Sequence, residues 1–162
     1  MRALLVMAVL GFAWLAPAPA QALNCIPLIG CTCNVAASGI GFADFNPLAA
    51  GDEAAIGAIE INCSGVLNLG GTVTVEILQG QWGTYAARKM RAPSGDMIDY
   101  NIYTTSAHTQ VWGAGAQAQV INGDIFLLGA WSANRDMFAR LVANPAMKPG
   151  DYTDTVTVRI IW

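Results

Sequence analysis

Thr72-Val73-Thr74-Val75-Glu76-Ile77 alternates polar and apolar side chains over six consecutive residues. Side chains of an extended chain point to opposite faces in turn. This spacing therefore puts Val73, Val75 and Ile77 on one face and predicts a half-buried β-strand. The pattern recurs on either side. Ile59, Ile61 and Cys63 alternate with Glu60 and Asn62, and Ile98, Tyr100 and Ile102 alternate with Asp99, Asn101 and Tyr103. Near the end, Val156, Val158, Ile160 and Trp162 share a face opposite Thr155, Thr157 and Arg159. Residues 34–45 read as a β-type stretch broken by Gly39 and Gly41, and the apolar runs 125–128 and 137–142 add two more segments. Residues 133–142 are assigned to a strand because they show no 3.6-residue stripe. Turn formers fill 46–53, 65–71, 80–95, 113–123 and 145–150. About seven strands joined by turns predict an all-β sandwich, with a small barrel as the rival architecture.

Composition agrees. A chain of 162 residues suits one domain, or one domain plus a targeting segment, rather than two full domains. Only 12% of residues are charged and 17 are glycine, which disfavours a helical bundle, while 54% hydrophobic content excludes a disordered chain. The net charge of −3 and the lack of a basic patch argue against a nucleic-acid partner. Met1-Arg2, the apolar run of residues 3–15 and Ala20-Gln21-Ala22 read as a secretory signal peptide over 1–22, cleaved after Ala22. The run is too short for a bilayer-spanning helix, which needs about 20 residues, and Pro17 and Pro19 follow it. Asn24 stands before Cys25 where lipid attachment wants a small residue.

Export makes disulfides the default for Cys25, Cys31, Cys33 and Cys63, with three connectivities open. A metal site built on Cys31-x-Cys33 would need two more ligands, and the single histidine, His108, lies far along the chain. No nucleophile elbow, phosphate loop, dinucleotide fingerprint or paired metal histidines are present, so no catalytic residue, cofactor or metal is assigned. Arg88-Lys89 with Arg91 reads as a solvated loop cluster. Trp82, flanked by Gly80 and Gly83, is the best candidate for an exposed aromatic contact, ahead of Tyr85, Trp112 and Trp131.

The segments taken together resemble the spore coat protein U domain family, the subunit family of archaic chaperone–usher pili. The resemblance rests on Cys33-Asn34-Val35-Ala36 leading to Gly41-Phe42-Ala43-Asp44-Phe45-Asn46-Pro47, then Ile59-Glu60-Ile61-Asn62-Cys63-Ser64. It continues through Arg88-Lys89-Met90, residues 98–103, Val111-Trp112-Gly113, and Pro149-Gly150-Asp151-Tyr152-Thr153-Asp154 running on to Val158. Ala43, Phe45 and Ala114 depart from the family pattern at local turns.

The resemblance implies an immunoglobulin-like sandwich over 33–162 that lacks its final strand and is completed by a donor strand from a neighbouring subunit. It implies a Cys33–Cys63 disulfide. Cys25–Cys31 is then left as a second pair, and an exchange in which Cys31 takes Cys63 stays open. Val156, Val158, Ile160 and Trp162 become the wall of the acceptor groove. The implied partners are a periplasmic chaperone, an outer-membrane usher and other pilin subunits, on a route through the periplasm to the cell surface. Residues 23–32 form a short lead containing Pro27 and two cysteines, a poor donor strand, as in a tip or minor subunit; Ile26, Leu28 and Ile29 serving as a short donor is the alternative. A self-contained adhesive module or a coat protein is the competing function.

Overall fold

The computed structural model describes residues 32–42, 45–46, 51–65, 68–69, 72–122, 125–126 and 129–161. Cys25, Cys31, Trp162 and the expected signal peptide lie outside the described residues. The fold is an all-β sandwich. Its larger sheet has the order β1-β2-β9-β6-β5, built from Thr32–Ala37 (β1), Glu53–Gly65 (β2), Gly129–Leu141 (β9), Met97–Tyr103 (β6) and Arg88–Arg91 (β5). The smaller sheet has the order β10-β4-β7, from Val158–Ile161 (β10), Thr72–Ile77 (β4) and Gln119–Asn122 (β7). Asn68–Leu69 (β3) pairs with Ile125–Phe126 (β8), and every described pairing is antiparallel.

The alternating segments form the core as expected. Ile59 and Ile61 of β2, Ala139 of β9 and Val75 and Ile77 of β4 are fully sealed from water. Ile98, Tyr100 and Ile102 of β6 and Ile121 of β7 join them. Trp112 is completely buried, and its indole N–H donates to the Val75 carbonyl at 3.0 Å, which supplies the partner a buried indole needs. Gly57 has a steric reason to be glycine in the middle of β2. A Cβ there would stand 2.7 Å from Ile40 Cγ1 and 3.0 Å from Met137 Cε. Residues 133–141 are strand, as assigned, within the long β9 that pairs with all of β2, and Val142 lies just past its end.

Cys33 lies directly opposite Cys63 in the β1–β2 register and is disulfide-bonded to it. The bond ties the edge strand to the core across a sequence separation of 30. Loop closure of that length stabilises by about 3–4 kcal/mol in chain-entropy terms.

Three expectations need correction. Residues 34–45 are not one strand, because β1 ends at Ala37. There the Ser38 hydroxyl accepts from Ala58 N at 2.7 Å, and the chain leaves the ladder toward Ile40 and Phe42. Residues 113–123 are not simply a loop, since they hold a 3-10 turn at Gly115–Gln117 and strand β7. Residues 88–91 are not a solvated loop either.

They form β5, and Arg88 is fully buried. Its guanidinium donates to the carbonyls of Ile77 (2.9 Å), Leu78 (3.1 Å) and Trp112 (2.8 Å) and to Asn101 Oδ1 (2.5 Å). Asn101 is buried with it, and its amide donates to the carbonyls of Tyr85 (3.0 Å) and Ala86 (2.9 Å). The planar five-donor fork of arginine satisfies carbonyls that no apolar side chain could. Burial lowers the Arg88 pKa, yet an arginine remains charged.

Arg88→Met should therefore cost about 3–5 kcal/mol, because it leaves buried acceptors without donors. Urea unfolding of the variant and the parent chain measures the difference.

Candidate functional site: a groove between two sheet edges

β1 ends one sheet and β10 ends the other, and a groove opens between the chain leaving β1 and the chain entering β10. Ala37 at the end of β1, then residues 38–40 and Phe42, form one wall, and residues 152–156 with Val158 form the other. The floor is core: Ile77, Met90, Tyr100, Ile102 and Met137. The cavity measures about 420 Å³ and runs into a second hollow of about 600 Å³ through Ile40, Phe42, Met90, Tyr152 and Thr153.

The C-terminal wall does not follow one sheet throughout. Thr153 exchanges backbone hydrogen bonds with Arg91 of β5, at 2.9 and 3.1 Å. From Thr157, whose carbonyl accepts from Leu78 N at 2.9 Å, the chain joins β4. It thus crosses from the larger sheet to the smaller one, and the ladder is confined to Val158–Ile161 although the alternation begins at Tyr152.

Along this segment Tyr152, Asp154, Val156, Val158 and Ile160 are half-buried, while Thr153, Thr155, Thr157, Arg159 and Ile161 are exposed. Val158 stands opposite Ile77 and Ile160 opposite Val75. Those β4 partners are fully sealed, whereas their β10 counterparts are not, because β10 has a strand on one flank only among the described residues. Cys33 and Val35 of β1 are half-buried at the other edge for the same reason. Covering Val156, Val158 and Ile160 completely would contribute about 2–4 kcal/mol, taking half the value of full side-chain burial for each.

Asp154 sets a carboxylate among the half-buried side chains of this wall. Asp154 Oδ2 accepts from the Tyr100 hydroxyl at 2.7 Å, and Oδ1 accepts from Gln81 N at 2.9 Å and from its neighbour Thr155 N at 2.8 Å. Gly80, at φ 86°, leaves room for this carboxylate, since a Cβ there would come within 2.1 Å of Oδ2. Burial, then the bond to Asp154, raise the Tyr100 pKa, so the phenol stays a donor.

Outside the groove, Glu76 fastens β10 to β4. Its carboxylate is 4% exposed and accepts from Gly115 N at 2.8 Å and from Arg159 Nε at 2.6 Å, with Arg159 Nη2 closing the ion pair. The Gly115 N–H and then the Arg159 guanidinium hold its pKa below the ordinary glutamate value, against the opposing effect of burial.

Of the other residues singled out in the sequence, Trp82 is half-buried rather than free. The Arg91 guanidinium lies 4.7 Å from its ring centroid. Trp112 belongs to the core. His108 sits on a loop at φ 52° and packs edge-on against Tyr103. Among the described residues no three His, Cys, Asp or Glu side chains gather as metal ligands, and no helix is long and apolar enough to cross a membrane. The groove contributions of Ile40, Met90 and Tyr100 were missed, because membership of a core face does not say which part of it is left open.

The sequence profile of the Spore Coat Protein U domain matches residues 20–159. The chain belongs to the spore coat protein U domain family. No curated protein matches it. Among solved structures, it is similar to a chain in the CsuC–CsuE chaperone–tip adhesion subunit pre-assembly complex from the archaic chaperone–usher Csu pili of Acinetobacter baumannii. The TM-score is 0.58 at 20% identity, covering 82% of this chain and 40% of that one. This family member therefore spans less than half the length of that neighbour. A fainter likeness, with a TM-score of 0.48 at 12% identity over 79% of this chain and 41% of the other, is to a chaperone–tip adhesin complex vital for synergistic activation of CFA/I fimbriae biogenesis.

Because the folded-state pKa of Glu76 is lowered, the stability it contributes is fully present above the ordinary value of 4.5 and is lost as pH falls through the folded value. The stability advantage of the parent chain over Glu76→Gln should thus be constant from pH 7 to about 5 and shrink below that. Denaturant unfolding of both proteins across pH 3–7 checks it.

Proposed function

We propose that this chain is a structural subunit of a chaperone–usher surface pilus, and that its groove receives an extended strand from a neighbouring subunit. The observation that carries the reading is the half-burial of Val158 and Ile160 opposite fully sealed β4 partners, with Val156 and Val158 on the wall of a groove floored by core. One inserted strand would pair with unpaired sheet edges and cover that floor, which is β-strand addition. Family membership and the fold shared with a chaperone–subunit complex of archaic pili support it.

On this reading residues 1–22 direct export and are removed, and a periplasmic chaperone covers the groove until the outer-membrane usher assembles the fibre. An open edge flanked by apolar side chains invites aggregation, so a chaperone meets a physical need. Residues 23–32, with Pro27 and a Cys25–Cys31 pair, donate a strand poorly, which suits a tip or minor subunit of a fibre serving adhesion and biofilm formation. Trp82, propped by Arg91 beside the Gly80 and Gly83 turns, is the residue proposed to touch an external surface.

In the native host, Val158→Asp should remove the subunit from the sheared fibre fraction, because a carboxylate in the groove opposes an apolar strand. Val120→Asp, at a site 63% exposed on β7, should leave incorporation unchanged. Normal incorporation of Val158→Asp would contradict the reading.

A further inference from the structure

The groove is not uniformly apolar, and the one carboxylate among its lining residues has unspent hydrogen-bonding capacity. A carboxylate offers about four lone-pair sites. Asp154 uses two of them at Oδ1, for Gln81 N and Thr155 N, and one at Oδ2, for the Tyr100 hydroxyl. Among the described residues this leaves an acceptor site on Oδ2, and the Tyr100 oxygen can accept as well as donate. Both residues line the groove, between Tyr152 on one side and Val156 on the other. A strand lying along this wall would present alternate side chains to Tyr152, Asp154, Val156, Val158 and Ile160. Four of those contacts favour apolar groups. At the level of Asp154 an apolar side chain would cover a charged acceptor without satisfying it, which costs more than leaving it hydrated.

We propose that Asp154 and Tyr100 set the register and choice of the incoming strand by requiring a hydrogen-bond donor, a threonine or serine hydroxyl, at one groove-facing position in an otherwise apolar alternating row. The proposal rests on the strand-accepting function and specifies its partner. The partner is the extension of a different subunit. In residues 23–32 the alternating set Asn24, Ile26, Leu28, Gly30 and Thr32 carries polar side chains only at its two ends, and the other set, Leu23, Cys25, Pro27, Ile29 and Cys31, carries no hydroxyl or amide. The Asp154 level has a further contact, Tyr152, beyond it. Neither set places a hydroxyl inside an apolar row.

The test is a positional scan with the exported chain and synthetic strands that have five groove-facing valines and polar residues between them. Threonine replaces one valine at a time; the two side chains match in shape and differ by the hydroxyl. Dissociation constants are measured for the parent chain and for Tyr100→Phe/Asp154→Ala. The expected result is about tenfold tighter binding with threonine at a single position, as for a hydrogen bond to a charged group. Threonine should bring no gain at the other four, and O-methylthreonine should forfeit the gain where it occurs. The double variant should lose the preference, and the parent scan decides alone should that variant fail to fold. Equal binding at all positions, or a gain that survives in the folded double variant, overturns the proposal and leaves the groove reading intact. Failure of every strand to bind overturns the groove reading and the proposal with it.

Discussion

Among the described residues β4 has a paired strand on each flank and β10 has one, and the burial of their inward side chains differs accordingly. Val75 and Ile77 are completely covered, while Ile160 and Val158, directly opposite them, are not. The difference is geometric, because all four are β-branched apolar residues on the same inner face. A side chain at a sheet edge lacks the neighbour that would shield its second flank. The chain leaving β1, at the edge of the facing sheet, and the chain entering β10 bound one groove, and the core itself becomes the groove floor.

That floor has to hold its shape while uncovered, and two polar devices surround it. Arg88 gathers the carbonyls of Ile77, Leu78 and Trp112 around one buried cation, fixing the end of β4 to β5 and to the segment carrying Trp112. Glu76 grips Arg159 on β10 and Gly115 beyond β4, so the edge strand is held by side chains as well as by its single ladder. The Cys33–Cys63 bond does the same for β1.

Much of this fold was legible because period-two alternation survives wherever one face is buried. Ile59-Glu60-Ile61, Val73-Thr74-Val75 and Val156-Thr157-Val158 each declared their inner face. Assigning the C-terminal strand to a groove wall, like the disulfide, came through the family resemblance and not through alternation. The buried arginine was not, because charge signals exposure and nothing local marks Arg88 as meeting carbonyls ten or more residues away. β7 hid in a small, polar stretch where only Ile121 turns inward to the core. The role of Asp154 was not legible either. It caps Gln81 N and Thr155 N, as aspartates commonly cap backbone donors, yet its bond to Tyr100 depends on β6 lying across the groove, a contact 54 residues away.

The most direct measurement is thermal unfolding of the exported chain with and without a donor-type strand appended after residue 162 through a flexible linker. Filling the groove should add ladder hydrogen bonds and complete the burial of the β10 side chains. The account predicts a melting temperature higher by about 10 °C or more in the appended protein, together with loss of aggregation. An unappended chain that is already monomeric and stable, and that melts at the same temperature as the appended one, would contradict it.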